Sequence, residues 1–267
     1  MMRLFAAIAA CCLWALPLQA DEKVERLMQA LQIEEIVDIL RDEGSVLGQE
    51  LQENFLSDNG GPVFLEQVDR IYDAEMMRGQ FADVFQQRLN ESQLDRAILF
   101  FESDLGQTIV TLENSARVAF ADDAIEEMAQ DAYRNGDRDT ELFRLVDEFI
   151  QVNDLVEQNV TNAISADYNF FRGLYDDSGI FETDLLGELL SEKDSMTEET
   201  KTWLYSFLLL AYQPLNDAQM RENIAFSRTE TGRAINSALF ESFDLMYGDI
   251  YYQLGQAVSQ VLKGRDL

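Results

Sequence analysis

The sequence predicts an all-α fold of two tandem, internally repeated helical lobes, residues 21–140 and 141–267, each built on a helix–corner–helix motif. Three observations predict it. Apolar residues recur at helical spacing along most of the chain, whereas strand-like alternation is scarce and only three prolines occur, Pro17, Pro62 and Pro214. A stretch starting at Leu89-Asn90-Glu91-Ser92-Gln93-Leu94 occurs a second time, 126 positions on, at Leu215-Asn216-Asp217-Ala218-Gln219-Met220. Earlier landmarks also recur in order: Gln32 to Val37 aligns with Gln151 to Val156, and Ser57-Asp58-Asn59-Gly60 with Asp176-Asp177-Ser178-Gly179, both at an offset of 119. Collinear matches at several places indicate duplication, with about seven extra residues near 180–200 in the second copy.

Residues 1–20 read as a secretory signal peptide. Arg3 supplies the positive start, an apolar run follows, and Ala20 offers a small residue at the cleavage position. The run is too short for a good membrane span. Ile8-Ala9-Ala10-Cys11 only superficially resembles a lipoprotein box, so lipidation at Cys11 is not expected. The expectation is a periplasmic protein cleaved near Ala20, with no transmembrane segment in the mature chain.

Lobe one then reads as a short helix at 24–31 and a second at 34–56, stopped by Asp58-Asn59-Gly60-Gly61-Pro62. A third follows at 63–89, with Phe64, Val68, Ile71 and Tyr72 on one face. The corner helices come next, at 91–102 and 104–134. Asn90 with Gln93, and Asn216 with Gln219, have the spacing of a capping box, in which each side chain meets the other residue's backbone N–H. Ser103 and Thr229, each followed by an acid, start the next helix, because a hydroxyl and a negative charge both suit the unpaired N–H groups there. Gly106 and Gly232 then fall at the third helical position. Glycine inside a helix costs about 1 kcal/mol against alanine, so its place in both copies predicts that the preceding helix crosses close to the backbone. The last stripe of lobe one is Leu105, Ile109, Leu112, Ala116 and Phe120, and Tyr133 to Asp137 reads as a turn and the lobe boundary.

Lobe two repeats the plan. Its segment 202–212, with Trp203, Leu204, Phe207 and Leu208, is expected to be the most buried helix. The final helix runs from 230 to 263 on Ile235, Leu239, Phe243, Met246 and Ile250, with Tyr247, Tyr251 and Tyr252 at the rim of its stripe.

The run Phe101-Glu102-Ser103-Asp104-Leu105-Gly106-Gln107 carries the pattern Phe-x-Ser-x-x-Gly-Gln. It resembles the signature of the bacterial envelope proteins grouped as domain of unknown function 2059. That family usually has Pro after the Ser; Asp104 stands there in this chain, and Glu230 in the second copy. The resemblance covers mainly residues 80–120 and more weakly 205–245. It implies a helical fold and an exported location, and it carries no established activity or catalytic residues.

Composition narrows the chemistry. The chain has 50 acidic and 20 basic residues, a formal charge of −30, and losing Arg3 with the leader makes it −31. That sign opposes nucleic acid and anionic membrane surfaces. It suits solubility, or docking to a basic partner or to divalent cations. There is no His, and both cysteines, Cys11 and Cys12, lie in the leader, so disulfides, Cys–His catalysis and the usual zinc, copper and haem ligand sets are excluded from the mature chain. No phosphate-binding Gly-rich loop occurs, and neither Asp176 to Gly179 nor Asp137-Arg138-Asp139 completes a calcium loop. No cofactor, metal or catalytic residues are assigned. Carboxylate pairs such as Glu34-Glu35 and Asp122-Asp123 cannot be singled out among so many acids. Two readings remain. One is a non-catalytic binding or scaffold module of the envelope, working on an envelope protein or a small ligand. The other is a carboxylate-based hydrolase or lyase, which requires a concave pocket holding a buried, pKa-shifted carboxylate.

Overall fold

The computed structural model describes residues 16–57, 59–175 and 182–264, with side chains described from residue 21 on and not for 182–184. Most of the signal-peptide stretch, Cys11, and the Asp58 and Asp176 to Gly179 landmarks therefore lie outside the described residues. Among the described residues every regular element is a helix: α1 (Leu16–Ala30), α2 (Ile33–Asn54), α3 (Gly61–Ile71), α4 (Ala74–Arg88), α5 (Glu91–Phe101), α6 (Asp104–Phe120), α7 (Asp123–Asn135), α8 (Glu141–Val152), α9 (Leu155–Tyr175), α10 (Glu182–Ser191), α11 (Lys193–Ala211), α12 (Asp217–Ser227) and α13 (Glu230–Gly264).

Two expected helices are each broken in two. The segment 63–89 is split into α3 and α4 at Tyr72-Asp73, where the Asp73 carboxylate accepts from Met76 N at 2.8 Å. The segment 104–134 is split into α6 and α7 at Ala121-Asp122, where Asp122 accepts from Ala124 N at 2.9 Å. An aspartate that caps the N–H groups ahead of it makes a new helix start as favourable as continuation. The apolar periodicity runs straight through both breaks, which hides them. Segment 202–212 is the end of the longer α11, and it is not the most buried helix: Trp203 is 36% exposed. That place belongs to α13, whose buried face extends from Thr231 to Ser259.

The early landmarks shift as well. Gln32 and Asp154 both take left-handed φ, 54° and 52°, immediately before α2 and α9. The structural junctions thus correspond at an offset of 122, and Gln151, aligned with Gln32 at 119, sits inside α8.

The corners determine how the helices pack. At each, the capping box is closed: Gln93 N donates to Asn90 Oδ1 at 3.0 Å and Asn90 N to Gln93 Oε1 at 3.0 Å, while Gln219 N and Asn216 N make the same pair at 3.1 and 3.0 Å. Gly106 N donates to Ser103 Oγ at 3.1 Å, and Gly232 N to Thr229 Oγ1 at 2.9 Å. A Cβ on Gly106 would lie 2.2 Å from Phe100 O, and one on Gly232 2.2 Å from Phe226 O. Phe100 and Phe226, which correspond at the offset of 126, stack on each other with centroids 3.8 Å apart and planes 2° from parallel.

From these corners the outgoing helices cross over. α1 packs on α5, α4 and α2, and α8 packs on α12, α11 and α9. α13 packs most extensively on α9 and reaches on to α4, α3 and α5, while α6 packs on α11 as well as on α5, α7 and α2. One core therefore joins α1 to α5 with Ile235, Met246, Ile250 and Leu254 of α13. The other joins Ile109 and Ala116 of α6 with α8, α9, α11 and α12. The α9–α13 crossing is close, since a Cβ on Gly173 would lie 2.1 Å from Tyr252 O and one on Gly255 2.0 Å from Phe170 O.

Replacing Gly106 or Gly232 with alanine forces a backbone shift. Overpacking of this kind costs about 1–3 kcal/mol, and at about 2–4 °C per kcal/mol for a chain of this size each variant melts roughly 2–12 °C lower. Gly79→Ala, in open space within α4, is the control and raises the melting temperature through helix propensity alone. Equal melting of all three variants would disprove the close crossing.

Candidate functional site

Between the two cores lies a cavity of about 470 Å³. α6 supplies Glu113, Asn114 and Arg117 to its lining, and α13 supplies Leu239, Phe240 and Phe243. These six positions correspond pairwise at the offset of 126. So do Ile109 with Ile235 and Val110 with Asn236, which also line it. The crossing of α6 and α13 between the cores thus gives the cavity two related walls of opposite character. The α6 wall is polar and the α13 wall is largely aromatic and aliphatic. Asn153, Asn159, Asn162 and Asn223 add amides from α8–α9 and α12, and Trp203 and Phe207 of α11 add aromatic surface.

The polar wall centres on Glu113. It accepts a short hydrogen bond from the Tyr212 hydroxyl. Burial pushes the Glu113 carboxyl up to about 7, against the downward pull of that hydrogen bond. Tyr212 is fully buried, and burial followed by the neighbouring Glu113 raises its hydroxyl well above the ordinary range, so it stays protonated. One turn along α6, Arg117 forks onto Glu43 of α2, with Nε–Oε1 at 2.7 Å and Nη2–Oε2 at 2.8 Å, and its Nη2 also donates to Tyr247 Oη at 3.3 Å. Burial opposes the Arg117 charge, but the Glu43 carboxylate more than offsets it. Arg117 is a committed cation that ties α6 to α2 and α13.

Buried polar groups in native folds have hydrogen-bond partners. Asn223 is 4% exposed, corresponds to Ala97 at the offset of 126, and its Nδ2, beside the Tyr212 hydroxyl, makes no well-formed hydrogen bond. Thr231 Oγ1, Gln52 Oε1 and Asp244 Oδ1 are also unpartnered, but those residues do not line the cavity. An outer hollow of about 650 Å³ lies against α7, α9 and α11, and Glu126, Glu198 and Glu199 make it acidic. Asn159 and Trp203 belong to both linings, so the two spaces adjoin there.

Of the eight residues singled out in the sequence, Gly232 lines the cavity, beside Phe226 and Ser227 at the α12 corner. Asn90, Gln93, Ser103, Gly106, Asn216, Gln219 and Thr229 cap the corner helices and do not line it. Glu113, Tyr212 and Asn223 were not singled out. A signal for Glu113 existed: Ile109, Glu113 and Arg117 step by four along α6, so two charged residues continue an apolar face. Among the described residues no group of three or more acidic side chains is arranged to hold a metal ion, and no helix is long and apolar enough to cross a membrane.

Residues 75–134 match the model of a family described as an uncharacterized protein conserved in bacteria, DUF2059. The match spans α4 to α7, and so takes in the first corner and the Glu113–Arg117 wall. No curated protein and no solved structure matches the chain.

The raised Glu113 value has a testable sign. Between the ordinary carboxylate value and about 7 the folded chain holds a proton that the unfolded chain releases. The stability this group contributes is therefore present at low pH and lost as pH rises through that window. Glu113→Gln keeps an oxygen for Tyr212 and cannot ionise. Its melting temperature relative to the parent is expected to be higher at pH 8 than at pH 5. The same difference at both pH values would show that Glu113 titrates as a surface carboxylate.

Proposed function

We propose that this is a small-molecule-binding protein of the cell envelope, made of two copies of one helical unit, which holds its ligand in the cavity between the interlocked cores. The observation that carries the reading is the cavity itself. Pockets of a few hundred cubic ångströms, mostly apolar with a few convergent polar groups, are the usual form of a ligand site. This one carries such polar groups in the Glu113 carboxyl and the asparagine amides of its lining. Support for an envelope location is the pattern of residues 1–20. Support for two copies is the matched corners, the Phe100–Phe226 stack and the paired cavity walls.

A carboxylate-based hydrolase or lyase rests on Glu113 alone. Its value near neutrality suits a general acid or base. Around it, though, Tyr212 is held protonated and Arg117 is held by Glu43, so neither is free to act as a nucleophile. Binding without covalent chemistry is the better account.

A neutral probe tests the cavity. Saturating 4-phenylbutan-1-ol is expected to raise the melting temperature, by roughly 5–10 °C at a hundredfold excess over its Kd. Leu239→Trp, which fills the apolar wall, should melt like the parent and show no such rise. No shift in the parent, or an equal shift in the variant, would overturn the reading.

A further inference from the structure

The cavity wall is unbalanced between donors and acceptors. Asn114 Nδ2 donates to Gln32 Oε1 at 3.2 Å, Asn153 Nδ2 to Phe149 O at 2.9 Å, and Asn159 Nδ2 to Leu155 O at 2.7 Å. Asn162 Nδ2 donates to Phe240 O at 3.1 Å and Asn236 Nδ2 to Asn153 O at 3.1 Å. For four of the five, a backbone carbonyl fixes which way the amide faces, because an oxygen in place of the nitrogen would meet another oxygen. Each amide nitrogen thereby has one of its two N–H groups engaged. Among the described residues the amide oxygens accept no hydrogen bond, and neither does the Glu113 oxygen that Tyr212 leaves free. On the donor side, Arg117 is neutralised by Glu43.

With Arg117 neutralised and the Glu113 carboxyl beside a row of amide oxygens, such a wall disfavours an anion. An ammonium group suits it, since it brings three N–H donors and a positive charge and accepts nothing. The facing wall supplies Phe240 and Phe243, and Trp203 stands nearby, all aromatic faces that attract a cation and cover an apolar tail. The acidic outer hollow and the net charge of −30 raise the local concentration of cations.

Resting on the cavity reading above, we infer that the ligand is an organic ammonium. It is a primary arylalkyl- or alkylamine in its protonated form, with its N–H groups toward Glu113 and the amide oxygens and its apolar remainder against α13. The carboxylate form of Glu113 is the binding partner, so the ammonium preference grows as pH rises past neutrality.

Three probes of one shape test this by isothermal titration of the full chain at pH 8: 4-phenylbutylamine, 4-phenylbutan-1-ol and 4-phenylbutyrate. The amine is expected to bind at least tenfold more tightly than the alcohol, and the carboxylate not measurably. In Glu113→Gln the preference for the amine over the alcohol falls at least tenfold. Leu239→Trp loses all three. Alcohol binding equal to or tighter than the amine would overturn the ammonium assignment and leave the cavity standing. An amine preference that persists in Glu113→Gln would place the cation on the acidic surface and also overturn it. Binding of none of the probes by the parent chain would overturn the cavity reading as well.

Discussion

The missing side chains at Gly106 and Gly232 are the constraint on which the rest of this structure depends. At both corners the outgoing helix passes so near the end of the incoming one that even a methyl group would strike a carbonyl oxygen 2.2 Å away. That approach aims α6 and α13 across the molecule, where each completes the other half's core. The caps make the geometry unambiguous. Asn with Gln at one helix start, and Ser or Thr at the next, satisfy N–H groups that a sharp corner would otherwise leave bare. Gln107 adds a cross-tie, donating to Ala30 O and Phe101 O at 2.7 Å each, which fastens the end of α1 to the corner.

Interlocking has a cost that becomes a site. Two helices crossing between two cores cannot fill all the space between them, and the residue of that mismatch is the cavity. On one side Leu239, Phe240 and Phe243 line it as a core would. On the other, Glu113, Asn114 and Arg117 occupy the corresponding positions. Burying a carboxyl and several amides is unfavourable unless each finds a partner. Tyr212, Glu43, Tyr247 and a set of backbone carbonyls supply most of those partners. What they leave unmet, a row of acceptor oxygens, is the chemistry open to a ligand.

The surface charge plays a different part. Lys23–Asp95 and Arg26–Glu102 tie α1 to α5, and Arg78–Glu25 ties α4 to α1. These pairs are largely exposed, and such pairs contribute about 0–1 kcal/mol each. They orient the first helix more than they hold it. Leu27 and Met28, buried against the first core, do the holding. The large acidic surplus instead sets the field that approaching solutes meet.

The sequence by itself determined the helices, the two capped corners and the special glycines. All of these arise within a few residues of the chain, where spacing and side-chain oxygens act directly on the neighbouring backbone. It also showed that the chain has no His and that both its cysteines, Cys11 and Cys12, fall within the first 20 residues. It did not disclose the breaks at Asp73 and Asp122, because the apolar stripe is continuous across them and a cap competes only locally. Nor did it disclose that α6 reaches α11 and that α13 reaches α3, α4 and α5, since periodicity reports that a face is buried and not what buries it. Glu113 looked like one acid among 50. Only the tertiary structure separated it, by placing Tyr212, 99 positions away in the chain, on its carboxylate and enclosing both beside a cavity. Burial is a property of the packed whole, and burial is what turns an ordinary carboxyl into a group that titrates near neutrality.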